Sequence, residues 1–477
     1  MKIKHIGSRK RRGRGKLLKI GKSGARSLSE IEFQKLLSSV PAVANKVGIK
    51  QRKKVRHTLR LMRRGDAVAQ PLIILKGFRS SQILDAIYPE REQIWLPSWQ
   101  RKSTASVDLR NFSFLDDPVG TMESLRAIAE CEARCRQFSI NFDDELCRDI
   151  TPYMALGLIR QKMLPVCTGG RLKSSIGRVT RAVHLDQYLR MRQNGLHTSA
   201  EIVPFPLRER RGKNSSTKDN SAWTVTSEER VDSKLVETID SWLSKLTPPR
   251  GLSEFGRAQI LTLIGEILDN AKRHSDPSED GTWAIAGFME ARKRDDGATT
   301  SYVCHLGIIN PGDTIFETLQ RAPDALKTRI EQFATKHSPK LLLKKRFDRE
   351  TLWTLCSLQD GISRASSQNT PNGFGMMELV DIVGALGRTS RPSEQPKMTI
   401  ISGRACLMIR PPYNKSKKTQ RGHRVLALNA ANDLTYAPDE DYVFNLPYRF
   451  PGTIVAMRFC LDGDELLRAD GTDATVA

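Results

Sequence analysis

The chain has 477 residues, 39% of them apolar and 27% charged, which is enough for two or three domains with real cores. Its apolar stretches, such as residues 71–75, fall far short of the roughly 20 residues a membrane helix needs, and no apolar run follows the basic N-terminus as a secretory signal requires. A cytoplasmic protein with no membrane partner is therefore expected. The formal net charge is +24, but residues 1–65 alone hold 21 Lys and Arg against Glu30 and Glu32, so the rest of the chain carries only about +5 and reads as a near-neutral body with a basic arm.

Residues 1–69 form that arm. The block Arg9-Lys10-Arg11-Arg12-Gly13-Arg14 repels itself and buries little, so residues 1–25 are expected to be disordered alone. Ile31, Phe33, Leu36, Leu37 and Val40 recur at helical spacing, and a second basic cluster follows at residues 52–56. Such an arm suits phosphate contacts to DNA or RNA through residues 1–65; without interleaved aromatics it does not suit base stacking.

Residues 70–206 alternate short strands and helices. Residues 106–114 and 138–142 read as strands, and residues 121–136 and 151–163 as helices. Cys131 and Cys135 share one helical face, but no CxxC pair or further close ligand accompanies them, so all eight cysteines read as reduced, mostly buried thiols. The order of elements resembles the STAS-type fold of sulfate-transporter and anti-sigma antagonist proteins, on pattern and without a signature motif. Residues 207–233 are polar and charged and read as a linker, and residues 462–477 as a tail.

Residues 234–461 carry the chemistry. A helix over 258–274 buries Ile260, Leu261, Leu263, Ile264, Ile267, Leu268 and Ala271, and Glu266 and Asn270, four apart, project from one flank. Two strands follow, 283–289 and 302–309, then Asn310-Pro311-Gly312-Asp313-Thr314. A polar stretch over 361–371 leads to Asn372-Gly373-Phe374-Gly375 and an apolar helix over 376–386. Residues 398–403 and 405–409 read as a hairpin, and residues 451–459, opening on Gly452-Thr453, as the last strand.

Taken together, these four segments resemble the ordered boxes of the gyrase, heat-shock chaperone, histidine kinase and mismatch-repair (GHKL) superfamily of ATP-binding domains. The fold this implies is α+β, a two-layer α/β sandwich preceded by a smaller α/β domain and the basic arm. By resemblance Asn270 ligates Mg2+, and Glu266 is the general base that orients the attacking water. Asn310 stands where the family has the adenine-binding Asp, and Thr314 where it has a second Gly. Gly312, Gly373, Gly375 and Thr453 complete the ATP site, with 361–371 as a lid in which Arg364 is a candidate phosphate contact. The amide oxygen is a hard ligand suited to Mg2+, and a carboxylate one turn away can hold a water in line with a γ-phosphoryl group.

The helix expected over 231–246 lacks a His, which disfavours a self-phosphorylating sensor kinase. The leading expectation is an ATP-hydrolysing conformational switch acting through a homodimer or protein partner. An anti-sigma-type serine kinase or partner-switch regulator, or an ATP-binding interaction protein that does not hydrolyse, remains open. Against the minimal kinase stands a helical insertion over 324–358.

Overall fold

The computed structural model describes residues 4–6, 78, 80–96, 101–163, 167–189, 202–210, 231–246, 249–274, 283–293, 300–338, 347–360, 362, 375–386, 391, 394–420, 422–461 and 466–468. Of the expected arm only Lys4–Ile6 falls within these residues. It is a strand, β1, where disorder was expected. Apart from Ile362, the expected lid, Arg364 included, lies outside the described residues, as do Gly373 and residues 211–230 of the expected linker.

The N-terminal elements follow in order: α1 (Gln82–Ile87), α2 (Arg91–Ile94), β2 (Thr104–Leu109), α3 (Pro118–Arg134), β3 (Gln137–Phe142), α4 (Thr151–Met163), β4 (Cys167–Leu172), α5 (Ser174–Ala182) and α6 (Leu185–Leu189). β2 and β3 alternate in burial, as strands with one face on a core must. α3 starts where Asp117 caps Gly120 N–H at 2.8 Å and Pro118 fixes the first turn. The sheet order is β1-β2-β3-β4, with β2, β3 and β4 parallel and β1 antiparallel to β2.

The second sheet is built from β5 (Ile202–Arg210), β7 (Trp283–Lys293), β8 (Thr300–Pro311), β9 (Lys397–Ile409) and β12 (Val443–Leu461), in the order β5-β7-β8-β12-β9, with every neighbour antiparallel. Between its strands lie α7 (Val231–Leu243), β6 (Arg250–Leu252), α8 (Glu254–His274), α9 (Ile315–Leu319), α10 (Asp324–His337), α11 (Arg349–Ser357), α12 (Gly375–Ala385), β10 (Lys417–Lys418) and β11 (Arg424–Val425), and β13 (Leu466–Arg468) ends the series. The described residues thus form a mixed α/β protein with one largely parallel sheet, one five-stranded antiparallel sheet and two antiparallel two-stranded ribbons, β10–β11 and β6–β13. No described helix is long and apolar enough to cross a membrane, and all eight cysteines are buried and free.

Two further observations differ from the sequence reading. β5 begins in the expected α/β domain and ends inside the expected linker, and it pairs with β7 as an edge strand. Residues 398–409 are not a hairpin. They form one strand bent at Gly403, whose φ is +63°. A Cβ at Gly403 would come within 1.8 Å of Glu350 Oε1, and Glu350 accepts the Arg404 N–H at 3.1 Å, so a carboxylate from α11 fills the bend and carries the strand through it.

Both faces of the antiparallel sheet are covered. One packs under α7, α8 and α12, where Ile260, Leu263, Ile264, Val380 and Val383 meet Ile285, Leu306, Ile308, Val455 and Met457. The other packs on α1, α3 and α4, where Leu84, Leu125, Ile150 and Met154 share a core with Ala286, Ile309, Ile401 and Ile454. Gly307 permits the close approach of α4, because a Cβ there would lie 2.6 Å from Thr151 Cγ2. Lys397 also reaches Asp116 across this junction at 3.0 Å.

Asp149 organises the start of α4. It accepts Phe114 N–H at 2.8 Å and Thr151 N–H at 2.9 Å, joining the loop after β2 to the helix. Burial pushes its carboxyl up to about 6, against the opposing pull of the Thr151 and backbone donors. The folded state therefore holds a proton that the unfolded chain releases near pH 4. Stability is highest below pH 4 for this group and falls as pH rises to about 6, by on the order of 2–3 kcal/mol. Asp149→Asn should flatten that slope in denaturant titrations over this range; an unchanged slope would refute the assignment.

Candidate nucleotide site

The strand registers decide which polar residues meet. β12 pairs with β8 so that Thr453 stands opposite Asn310, and with β9 so that Thr453 also stands opposite Ser402. Ala284 pairs with Ile309, and continuing that register one step brings Trp283 beside Asn310. Cross-strand partners share a face. The neighbours two residues along, Ile285, Ile308, Val455 and Ile400, all belong to the core under α8. Trp283, Asn310, Thr453 and Ser402 thus form one row at one end of the sheet, on the face that α7, α8 and α12 cover.

The row is polar where the rest of that face is apolar. Asn310 is buried at 5% exposure, and Ser402 is wholly buried. Ser402 Oγ lies 3.1 Å from Thr453 Oγ1 and accepts Ile315 N–H at 2.8 Å. Trp283 is buried, and its indole N–H has no hydrogen-bond partner among the described residues. Sequence reasoning missed Ser402 and Trp283; a Ser ending the aliphatic run Met398–Ile401 was the available signal for the first. A buried Asn, unlike an Asp, avoids desolvating a charge, at the loss of charge assistance in any hydrogen bond it accepts.

Around the row the backbone turns tightly. Gly312 takes φ +149° and its N–H points at Pro451 O at 3.4 Å. Gly452 takes φ +112°, and a Cβ there would come within 2.0 Å of Asn310 O. Thr314, where the family pattern has a second Gly, is the N-cap of α9. Its hydroxyl accepts Glu317 N–H at 3.2 Å, and the Glu317 carboxylate accepts Thr314 N–H at 2.8 Å. The departure from the pattern is thus a capping box that launches a helix. Beyond it, Glu317 pairs with Arg449 at 2.6 Å, and Arg449 reaches Glu350 at 3.0 Å. Burial raises the Glu350 carboxyl above its usual range, against the pull of the Arg404 N–H and Arg449.

No protein-family model, curated protein or solved structure matches the chain.

Glu266 and Asn270 lie on α8, one turn apart on a flank of its buried stripe, and Glu266 is half-buried. Only the backbone of Asn270 is described, as is only that of Gly375, which opens α12. α12 packs against α8. The structure therefore brings Asn310, Gly312 and Thr453 together, and sets Glu266, Asn270 and Gly375 on the two helices that cover the same face. Among the described residues no group of three or more His, Cys, Asp or Glu gathers as a metal site. A separate pocket of about 30 Å³ between α7, α8 and the sheet is almost wholly apolar; Leu235, Ile239, Leu263, Met289 and Phe459 line it. It lies toward the opposite ends of β7, β8 and β12 from the polar row and offers a nucleotide no partners.

Gly452→Ala should cost about 3 kcal/mol or more, because it meets both backbone strain and the Asn310 carbonyl. Ser402→Ala should cost less, about 1–2 kcal/mol, because it removes the bonds to Ile315 N–H and Thr453 without straining the backbone. Chemical denaturation of the two variants checks the order; equal losses would contradict the packing described at Gly452.

Proposed function

We propose that the antiparallel sheet with α7, α8 and α12 is a GHKL-type ATP-binding sandwich, and that the protein is a Mg-ATP-dependent conformational switch. The observation that carries this reading is the buried polar row of Asn310, Thr453 and Ser402 on the face covered by α8, the helix that bears Glu266 and Asn270. The donor set fits the group. An adenine edge offers an amino donor beside a ring-nitrogen acceptor; the Asn310 amide oxygen can accept from the first, and the buried Trp283 N–H, without a partner among the described residues, can donate to the second.

In this reading Asn270 holds the metal ion through its amide oxygen. Glu266 orients the attacking water and takes its proton. Gly375 opens α12, where the helix dipole favours negative charge, and it would present its backbone N–H to the phosphates together with the sequence-matched Gly373. Thr453, bonded to Ser402, fixes the geometry around Asn310. A Mg2+ ion held by Asn270 would supply positive charge against the phosphates. The basic residues of 1–65 contribute nucleic-acid affinity through phosphate contacts. The switch acts by rearranging the helices over the sheet, which changes what the α1–α4 face or a second subunit meets.

Nucleotide titration tests the site. The wild type should bind Mg-ATP, and Asn270→Ala should weaken binding by at least about tenfold, roughly the worth of one strong metal ligand. Glu266→Gln should keep binding and slow phosphate release by about a hundredfold or more, the contribution of a positioned base. No binding by the wild type would overturn the proposal, and transfer of the γ-phosphate to a protein serine would replace the switch with a serine kinase.

A further inference from the structure

Between Arg410 and Arg424 the sequence carries Arg410, Lys415, Lys417, Lys418, Arg421 and Arg424 and no Asp or Glu. The near-neutral sum over the body conceals this concentration. In the structure β10 and β11 pair antiparallel as a short ribbon, Lys417 opposite Val425 and Lys418 opposite Arg424. Its turn closes through Thr419 N–H to His423 O at 2.8 Å and Gly422 N–H to Thr419 O at 2.9 Å, with Gly422 at φ +81°. Lys415, Lys417, Lys418, Thr419, Gln420 and His423 are all exposed.

Most surface charge runs are merely solvated, but this one is held in place. Arg424 pairs with Asp360 at 3.1 Å and with Asp381 of α12 at 3.3 Å. Ser416 Oγ donates to Asp381 at 2.9 Å, and Asn432 Nδ2 donates to Lys415 O at 3.2 Å and Val425 O at 3.3 Å. These contacts consume the charge of Arg424 and fix the base of the ribbon. Lys415, Lys417 and Lys418 make no ion pair among the described residues. The nearby acid is Asp433, held below its usual range first by the Thr435 N–H and then by Lys417 and Lys336.

We infer that the β10–β11 ribbon is a docking surface for the phosphodiester backbone of a nucleic acid. Lysine ammonium groups bind phosphates as point charges, and such contacts position a duplex without reading its sequence. A two-stranded ribbon also has the width to enter a major groove. Residues 414–425 contain no Phe, Tyr or Trp, and their one aliphatic side chain, Val425, is half-buried, so the ribbon exposes neither the wedge that seats an element in a lipid interface nor the apolar anchor of a protein interface. The surface is independent of the nucleotide reading. Through Asp381, which Arg424 and Ser416 both contact, it is anchored to α12.

The test uses the full chain without ATP. Labelled duplex DNA, single-stranded DNA and duplex RNA are titrated by anisotropy between about 50 and about 300 mM salt, with anionic vesicles and polyglutamate as competitors. K417E/K418E should weaken binding of at least one nucleic acid by about tenfold or more and make the log–log salt slope shallower by about 2, with unchanged circular dichroism. The same loss should appear on top of an arm variant in which Arg9, Lys10, Arg11 and Arg12 are Ala. Unchanged affinity and slope in both backgrounds would overturn the inference and leave any binding to the arm. A loss confined to vesicles or polyglutamate would overturn it as well.

Discussion

Everything in the candidate site depends on the antiparallel register of β12 between β8 and β9, in a sheet buried on both faces. Alternation along β12 sends Val455, Met457 and Phe459 under α8 and Ile454 and Ala456 against α1, α3 and α4. A slip of one residue would exchange these sets and bury each against the wrong layer. Two different cores therefore hold the register, and the register in turn places Thr453 opposite Asn310 and Ser402. Polar side chains in such a position are costly unless partnered. Ser402 meets this by joining Thr453 to the start of α9. That polar end lies on the face of the sheet that α8 covers, and the equally buried His305 faces the other layer, stacked on Phe288 at 4.4 Å with Nδ1 3.1 Å from Arg148 O. Burial lowers the His305 pKa against the pull of Glu290, which suits a neutral structural ring.

Glycines and one carboxylate allow the strands to keep this pairing while they bend. Gly452 lets β12 cross close to the Asn310 carbonyl. Gly403 bends β9 around Glu350, which also holds Arg449. The same carboxylate thus links α11, β9 and β12 near the polar row, and Arg449 extends the link to Glu317 and the capped start of α9. The insertion formed by α10 and α11 therefore braces the row, and it is also packed internally: Trp353 donates to Glu331 at 3.0 Å, and Arg349 lies 5.0 Å over the Trp353 ring.

Long elements with a clear period were legible in the sequence. The apolar stripe of α8 and the strands β3, β7 and β8 lie within a few residues of where periodicity places them, whereas β2 ends at Leu109 and residues 110–114, also expected as strand, are loop. The shared face of Asn310 and Thr453 was not legible, because a register between strands more than a hundred residues apart leaves no local trace. β5 was hidden for a related reason. Arg208, Glu209 and Arg210 read as linker, and only pairing with β7 makes them strand. Gly403 misled in the opposite direction. It signals a turn locally, but Glu350, 53 positions earlier, turns it into a bend within one strand. The ribbon at 415–425 was overlooked because net charge was weighed over whole segments and its acids lie elsewhere in the fold.

Hydrogen exchange of the full chain with and without Mg-ATP tests most directly whether a nucleotide sits on the polar row beneath α8. Amides of residues 308–315, 400–404 and 450–455 and of the C-terminal half of α8 should exchange more slowly with nucleotide, while those of β2 and β3 should be unaffected. No protection at the row, or protection confined to the parallel sheet, would contradict a nucleotide site there.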